Sequence, residues 1–267
     1  MRLPKVDYHM HTPLCGHAVG DPSAYVEQAL KVGLSEVGFS DHAPLVAYAN
    51  PKYAMGDDQL PLYHRMMEDL RARYPKFTVK VGLEADYIPG FEEKTRAILA
   101  GYPYDFVIGS IHFIDNWAFD DPDEHVKWRD KDIDRVYRDY YELLRRSAAS
   151  GLFDIIGHCD LVKKFGHRAH ADLTPEIERT AEAFRGAGVT VEINTSGLRK
   201  PVKEIYPSLE VLKIYRRAGV PITFSSDSHD PADVGRDYDK AADLARAAGY
   251  AEYRVFRARK TERTEPL

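Results

Sequence analysis

The stretch Val6-Asp7-Tyr8-His9-Met10-His11 decides how the chain reads. It is apolar enough for a strand, and strand alternation puts Asp7, His9 and His11 on one face, with Val6, Tyr8 and Met10 turned toward covering helices. Two imidazoles two residues apart on one strand face can bind one metal ion from one side. A single His-x-His more often packs or sits at a surface, so the weight falls on what the other strands carry.

Working outward, strand-like segments at 5–11, 36–41, 77–84, 105–112, 153–158, 189–194 and 221–226 alternate with amphipathic stretches. The latter lie at 21–33, 58–74, 91–100, 131–150, 175–187, 208–218 and 232–248. Asp21-Pro22 reads as an N-cap and first helical residue with Gly33 as the stop, and Thr174-Pro175-Glu176 starts another helix. Seven βα units in series predict a parallel sheet with helices outside. At 267 residues the expected fold is an α/β, distorted seven-stranded (β/α)7 TIM-like barrel, one domain over 1–267, rather than an open doubly wound sheet.

The strand ends repeat one theme. After the first come Ser40-Asp41-His42, Glu84-Ala85-Asp86, Ser110-Ile111-His112, Gly157-His158-Cys159-Asp160 and Ser226-Asp227-Ser228-His229. Metal-capable side chains thus collect at the C-terminal ends of strands, where α/β barrels place their active sites. The donors are imidazole and carboxylate, which suit Zn, Fe or Mn better than Mg. They are too many for one ion, and a carboxylate such as Glu84 can bridge two.

Composition narrows the classes. Hydrophobic residues make up 44% and charged residues 30%, which is enough to fill a core without disulfides. The net charge is -5 with both signs mixed along the chain, so no nucleic-acid footprint is expected. No run of 18 apolar residues and no apolar signal core occur, which predicts no membrane segment. The two cysteines, Cys15 and Cys159, form no disulfide framework, and a cytoplasmic setting is expected.

With His17 placed six residues after His11, these motifs resemble the polymerase-and-histidinol-phosphatase (PHP) superfamily over essentially the whole chain. The resemblance implies a trinuclear centre of divalent transition metals (Zn, Fe and/or Mn). His9, His11, Glu84 and Asp227 would hold the first ion. Glu84 would bridge to a second with His112 and His158, and His17, His42 and His229 would hold the third. The segments Gly157–Phe165 and Glu192–Lys200, followed by Tyr206-Pro207-Ser208, look most like the histidinol-phosphate phosphatases. A small phosphomonoester, L-histidinol phosphate, is therefore the implied substrate. The competing readings are a nuclease or nucleotide phosphoesterase, which needs a basic groove, and a non-catalytic PHP module, which would have lost ligands.

For such a reaction Asp227 and His229 are the candidate catalytic residues: Asp227 orients the attacking hydroxide or moves its proton, and either His229 or a metal-bound water protonates the leaving oxygen. Arg199 and Lys163 are the candidate phosphate contacts, with Arg168 in reserve. Asp41, Asp86 and Asp160 are available for cationic groups of the substrate, and Tyr48, Tyr53, Trp117, Phe119 and Tyr206 for its ring. No serine or cysteine nucleophile with a paired base is evident, so no phosphoenzyme is expected. Asp7 is expected below His9, bonded to a ligand histidine or in an internal salt bridge. His64, His125, His167 and His170 lack strand-end positions and read as incidental, and Cys159 reads as packing.

Overall fold

The computed structural model describes residues 2–47 and 50–267. In chain order it runs β1 (Val6–Asp7), α1 (Pro22–Val32), β2 (Glu36–Phe39), α2 (Leu60–Arg73), β3 (Thr78–Asp86), α3 (Glu92–Ala100) and β4 (Phe106–Ser110). A hairpin of β5 (Phe113–Ile114) and β6 (Trp117–Ala118) follows, then α4 (Ile133–Ala149), β7 (Ile155–Ile156), α5 (Thr174–Ala187) and β8 (Thr190–Asn194). The chain ends with α6 (Leu209–Ala218), β9 (Ile222–Ser225), α7 (Tyr238–Ala247) and a hairpin of β10 (Glu252–Arg257) and β11 (Lys260–Pro266).

Seven strands pair in parallel in the order β1-β2-β3-β4-β7-β8-β9, and the sheet curls until its edges meet. Tyr8 N donates to Phe224 O at 3.4 Å, Ser228 N to His9 O at 3.0 Å and His11 N to Ser228 O at 3.0 Å. The expected seven-stranded barrel is thus formed. The helices carry their apolar residues on one face. In α4, Val136, Tyr137, Tyr140, Tyr141 and Leu144 are buried, and Asp132 caps the helix by accepting from Arg135 N at 3.2 Å. Inside the barrel the ring of Phe106 fills the space that a Cβ would need at Gly38 or Gly82, 2.5 and 2.4 Å away. Glycine is required there to let an aromatic cross under two neighbouring strands.

The structure departs from the sequence reading in four places. Regular pairing of β1 stops at Asp7, and strict alternation stops with it. Asp7 does not share a face with His9 and His11. Its carboxylate accepts from Ser226 N (2.9 Å), the Ser226 hydroxyl and Gly235 N (3.1 Å), tying β1 to the segment after β9, and also, as expected, from a ligand histidine, through His9 N (3.4 Å). Tyr8 turns inward rather than toward helices, 4.8 Å from Phe106, with its hydroxyl bonded to Glu36. The last helix begins at Tyr238, because Gly235 (φ 65°) and Asp237 (φ 61°) take left-handed backbone that interrupts it. Finally, β10–β11 closes the barrel end where the strands begin. Val255 and Phe256 are buried there, Glu262 pairs with buried Lys80 (3.4 Å) and Arg263 with buried Glu36 (3.5 Å).

Candidate metal centre

At the opposite end, the strand termini converge on Glu84. Its Oε2 lies 3.0 Å from His9 Nε2, 3.0 Å from His42 Nδ1 and 3.7 Å from His11 Nε2. Its Oε1 lies 3.1 Å from His158 Nε2 and 3.7 Å from His112 Nε2. Asp227 follows β9, with Oδ1 3.4 Å from both His11 Nε2 and His229 Nδ1, and 3.9 Å from His9 Nε2. His17 and His229 stack at 4.6 Å, and His17, His42 and His229 offer donor atoms within 4.8 Å of one another. All nine residues singled out as ligands are therefore brought together.

Many of these contacts are close without being hydrogen bonds. His9 Nε2, both ring nitrogens of His11, Glu84 Oε2, His158 Nδ1 and His229 Nε2 are buried and have no hydrogen-bond partner. An unsatisfied buried polar atom costs about 1–3 kcal/mol, so such a cluster calls for a bound group. Imidazole and carboxylate lone pairs converging on common points fit divalent transition metals.

The rings of His9, His112 and His17 are hydrogen-bonded from behind, and His11 has a carboxylate nearby. His9 Nδ1 meets Glu192 Oε1 at 2.6 Å, His112 Nδ1 meets Asp86 at 3.0 Å and His11 Nδ1 lies 3.4 Å from Asp41. His17 Nδ1 faces the carbonyls of Cys15 and Lys52, each at 3.1 Å. Such partners fix the tautomer and aim the other nitrogen at a metal. Glu192 was missed in the sequence, although alternation along β8 would have turned it inward with Asn194. It also accepts from His158 N (2.8 Å), Asn194 Nδ2 (3.0 Å) and the Ser225 hydroxyl. Asp227 sits in left-handed backbone (φ 51°), with Oδ2 held by Ser196 Oγ (3.0 Å) and Asn194 Nδ2 (3.3 Å). Strain of this kind persists where surrounding structure holds a functional side chain in place.

The charges are tightly balanced. Burial alone would discharge His9, but Glu192, Glu84 and Asp227 outweigh it and hold its pKa well above the ordinary imidazole value. Burial likewise opposes the charge on Glu84, and His9 and His42 reverse it, keeping the carboxylate well below its usual range. His17 moves the other way, down to about 4, through burial and the neighbouring His42 and His11.

Above the cluster opens a cavity of about 570 Å³, whose wall includes Tyr53, Asp120, Asp121, Lys164, Phe165, Ser196 and Lys200. The two expected phosphate contacts are not on it. Lys163 is buried, and its ammonium is consumed by Asp160 (2.8 Å), Glu204 (3.2 Å) and Ile205 O (2.9 Å). Arg199 braces the loop that carries Asp227, through Ser226 O (2.5 Å) and Asp233 (3.1 Å), and its Nη1 is buried with no hydrogen-bond partner. Arg168 is engaged with Glu204. The cations facing the cavity are Lys164, paired with Asp120 at 2.9 Å, and Lys200, whose pKa is lowered by burial. Both were passed over because the sequence does not show which of two adjacent basic residues points inward.

The carboxylates expected to meet the substrate are also committed. Asp41 binds Thr12 N (3.1 Å) and its hydroxyl, Asp86 holds His112, and Asp160 pairs with Lys163 and Ser208 N (2.8 Å). Of these Asp86 lines the cavity, together with Asp120, paired with Lys164, and Asp121, which accepts from the Tyr53 hydroxyl at 2.6 Å. Trp117, Phe119 and Tyr206 are core residues, and Tyr48 lies outside the described residues. Cys159 is buried.

A profile of the PHP domain matches residues 7–196. A probable histidinol-phosphatase of Deinococcus radiodurans is 39% identical over 258 residues, covering 96% of this chain and 98% of that one. The histidinol-phosphatase of Bacillus subtilis is 32% identical over 263 residues, covering 89% and 98%. A solved structure of histidinol phosphate phosphatase from Lactococcus lactis, complexed with zinc, L-histidinol and phosphate, shares the fold. Its TM-score is 0.85, over 98% of this chain and 100% of that one, at 24% identity. The converging histidines and carboxylates and the two close relatives agree, and the chain belongs to the PHP domain family, among its histidinol-phosphatases.

Proposed function

We propose that the protein is a metal-dependent phosphatase that hydrolyses L-histidinol phosphate to L-histidinol and inorganic phosphate. The observation that carries the chemistry is the cluster of buried, unsatisfied imidazole and carboxylate atoms around Glu84 on the cavity floor. The relatives named histidinol-phosphatases carry the substrate.

Three ions (Zn, Fe and/or Mn) fit the donor set. His9, His11, Glu84 and Asp227 would hold one, Glu84 with His112 and His158 a second, and His17, His42 and His229 a third. When bound, the ions would neutralise phosphate charge, acidify a water and stabilise the departing alkoxide. The chain's own groups do the rest. Glu192 and Asp86 keep the rings of His9 and His112 aimed. Asp227, with one oxygen fixed by Ser196 and Asn194, orients the attacking water and takes its proton. His229, stacked on His11 at 3.9 Å and held neutral by burial and the neighbouring His11, serves as a ligand, and water supplies the proton for the leaving oxygen. Lys200, backed by Lys164, serves as a phosphate contact together with Arg199, whose buried Nη1 has no partner among the described residues, while Lys163 is held by its carboxylates. Asp121 and Asp120 would receive the substrate's cationic groups. Aromatic Tyr53 and Phe165 flank its ring.

We assign the chain a cytoplasmic setting, with a small-molecule substrate and no nucleic acid. Buried free cysteines support the first, and relatives named histidinol-phosphatases the second. Among the described residues no helix is long and apolar enough to cross a membrane. The net charge of -5 gives no encouragement to a nuclease, and the full ligand set argues against a non-catalytic module. The test is metal content together with phosphate release from a panel of phosphomonoesters, before and after chelation. Activity that survives complete removal of metal would end this reading.

A further inference from the structure

Away from the centre, two histidines that the proposed chemistry does not use face each other across the rim of the cavity. His125 lies in the 3-10 segment Pro122–Asp130, and His167 in the loop before α5. Their Nε2 atoms are 3.3 Å apart. Pro122 of the first segment and its N-cap Asp121 lie on the cavity wall, as do Lys164 and Phe165 ahead of His167.

Both rings are set from behind. His167 stacks on buried Trp128 at 4.5 Å and 15°, and its backbone carbonyl accepts from the Tyr137 hydroxyl at 2.7 Å. Trp128 is itself fixed by donating to Phe119 O at 2.8 Å. His125 packs on Phe165 at 4.5 Å. Burial and the neighbouring His125 lower the pKa of His167, which leaves a neutral ring with a lone pair to offer.

We infer that His125 and His167 form a separate two-imidazole site for a divalent transition metal at the cavity rim, joining the two loops. Two nitrogens each about 2.0–2.1 Å from a tetrahedral ion stand roughly 3.3–3.4 Å apart, which is the separation seen here. The remaining positions on the ion are open to solvent because His125 is exposed. Imidazole donors select Zn, Ni or Cu over Mg or Ca. The site shares no ligand with the Glu84 cluster and does not depend on the proposed phosphatase reaction.

The probe is Zn²⁺ or Co²⁺, which take tetrahedral sites, added to the protein as purified, with resident metal measured before and after. Calorimetry should show one additional equivalent per chain, and added Co²⁺ should show the intense visible absorption of a tetrahedral ion. His125→Ala should abolish that equivalent. His167→Phe should abolish it too, while preserving the stack on Trp128, and both variants should keep their resident metal. The inference is overturned if wild type takes up no additional equivalent, or if either variant retains it. The pair would then be a plain N–H···N hydrogen bond between the loops.

Discussion

Replacing Glu192 by Gln tests whether the groups behind the ligands control the metal centre. One carboxylate oxygen faces His9 Nδ1 (2.6 Å) and the Ser225 hydroxyl, and the other faces His158 N (2.8 Å) and Asn194 Nδ2 (3.0 Å). Glutamine has one carbonyl oxygen and one amino group, so in either orientation it turns N–H groups toward one pair. If the amide N–H faces His9, the favoured tautomer moves its proton to Nε2, the atom aimed at Glu84. If it faces His158, two donors meet and the His158 backbone must shift. Loss of one charge-assisted hydrogen bond is worth about 1.5–3 kcal/mol, or roughly 10- to 150-fold in metal affinity. This agrees with the 10- to 100-fold effects of order typical for groups behind metal ligands. Chelator competition on wild type and Glu192→Gln measures the shift directly. Affinity and stoichiometry within about two-fold of wild type would refute the orienting role.

Glu84→Gln should strip metal and activity together, because an amide cannot bridge two cations; elemental analysis showing a full complement would contradict this. Lys200→Ala should lower kcat/KM by roughly 10- to 150-fold with metal content unchanged, the worth of one charged contact to phosphate. Lys163→Ala should instead unfold more easily, by about 3–5 kcal/mol in denaturant titrations, because it leaves Asp160 buried without its partner. Hydrolysis of a substrate made chiral at phosphorus should invert configuration, as direct attack by water requires, whereas retention would mean a phosphoenzyme.

The strand-end candidates were legible because barrel topology sends such side chains to one place, and the family resemblance singled out the nine, including His17 in the loop before α1. The Glu84 cluster is the outcome. The barrel itself was legible from seven apolar strands separated by amphipathic helices. What escaped was whatever depends on tertiary direction. Lys163 and Lys164 are neighbours, yet one is buried against Asp160 and the other reaches the cavity, and composition carries no sign of which. Tyr8 broke the expected alternation because β1 pairs regularly over only two residues. The β10–β11 hairpin escaped because β11 reads Lys-Thr-Glu-Arg-Thr-Glu-Pro, exposed along most of its length, with no apolar face to betray a strand. Glu192 was hidden among apolar neighbours, where only the completed barrel shows that it stands behind His9.

The most direct test of the account is kcat/KM for L-histidinol phosphate against a nucleoside monophosphate and an aryl phosphate, on protein of measured metal content. If Lys200 holds the phosphate while Asp121 and Asp120 hold the cationic groups, L-histidinol phosphate should be favoured by at least about 100-fold. That is the worth of two charge-assisted contacts at the low end of their range. Equal efficiency on all three, with the metal centre loaded, would contradict the assignment.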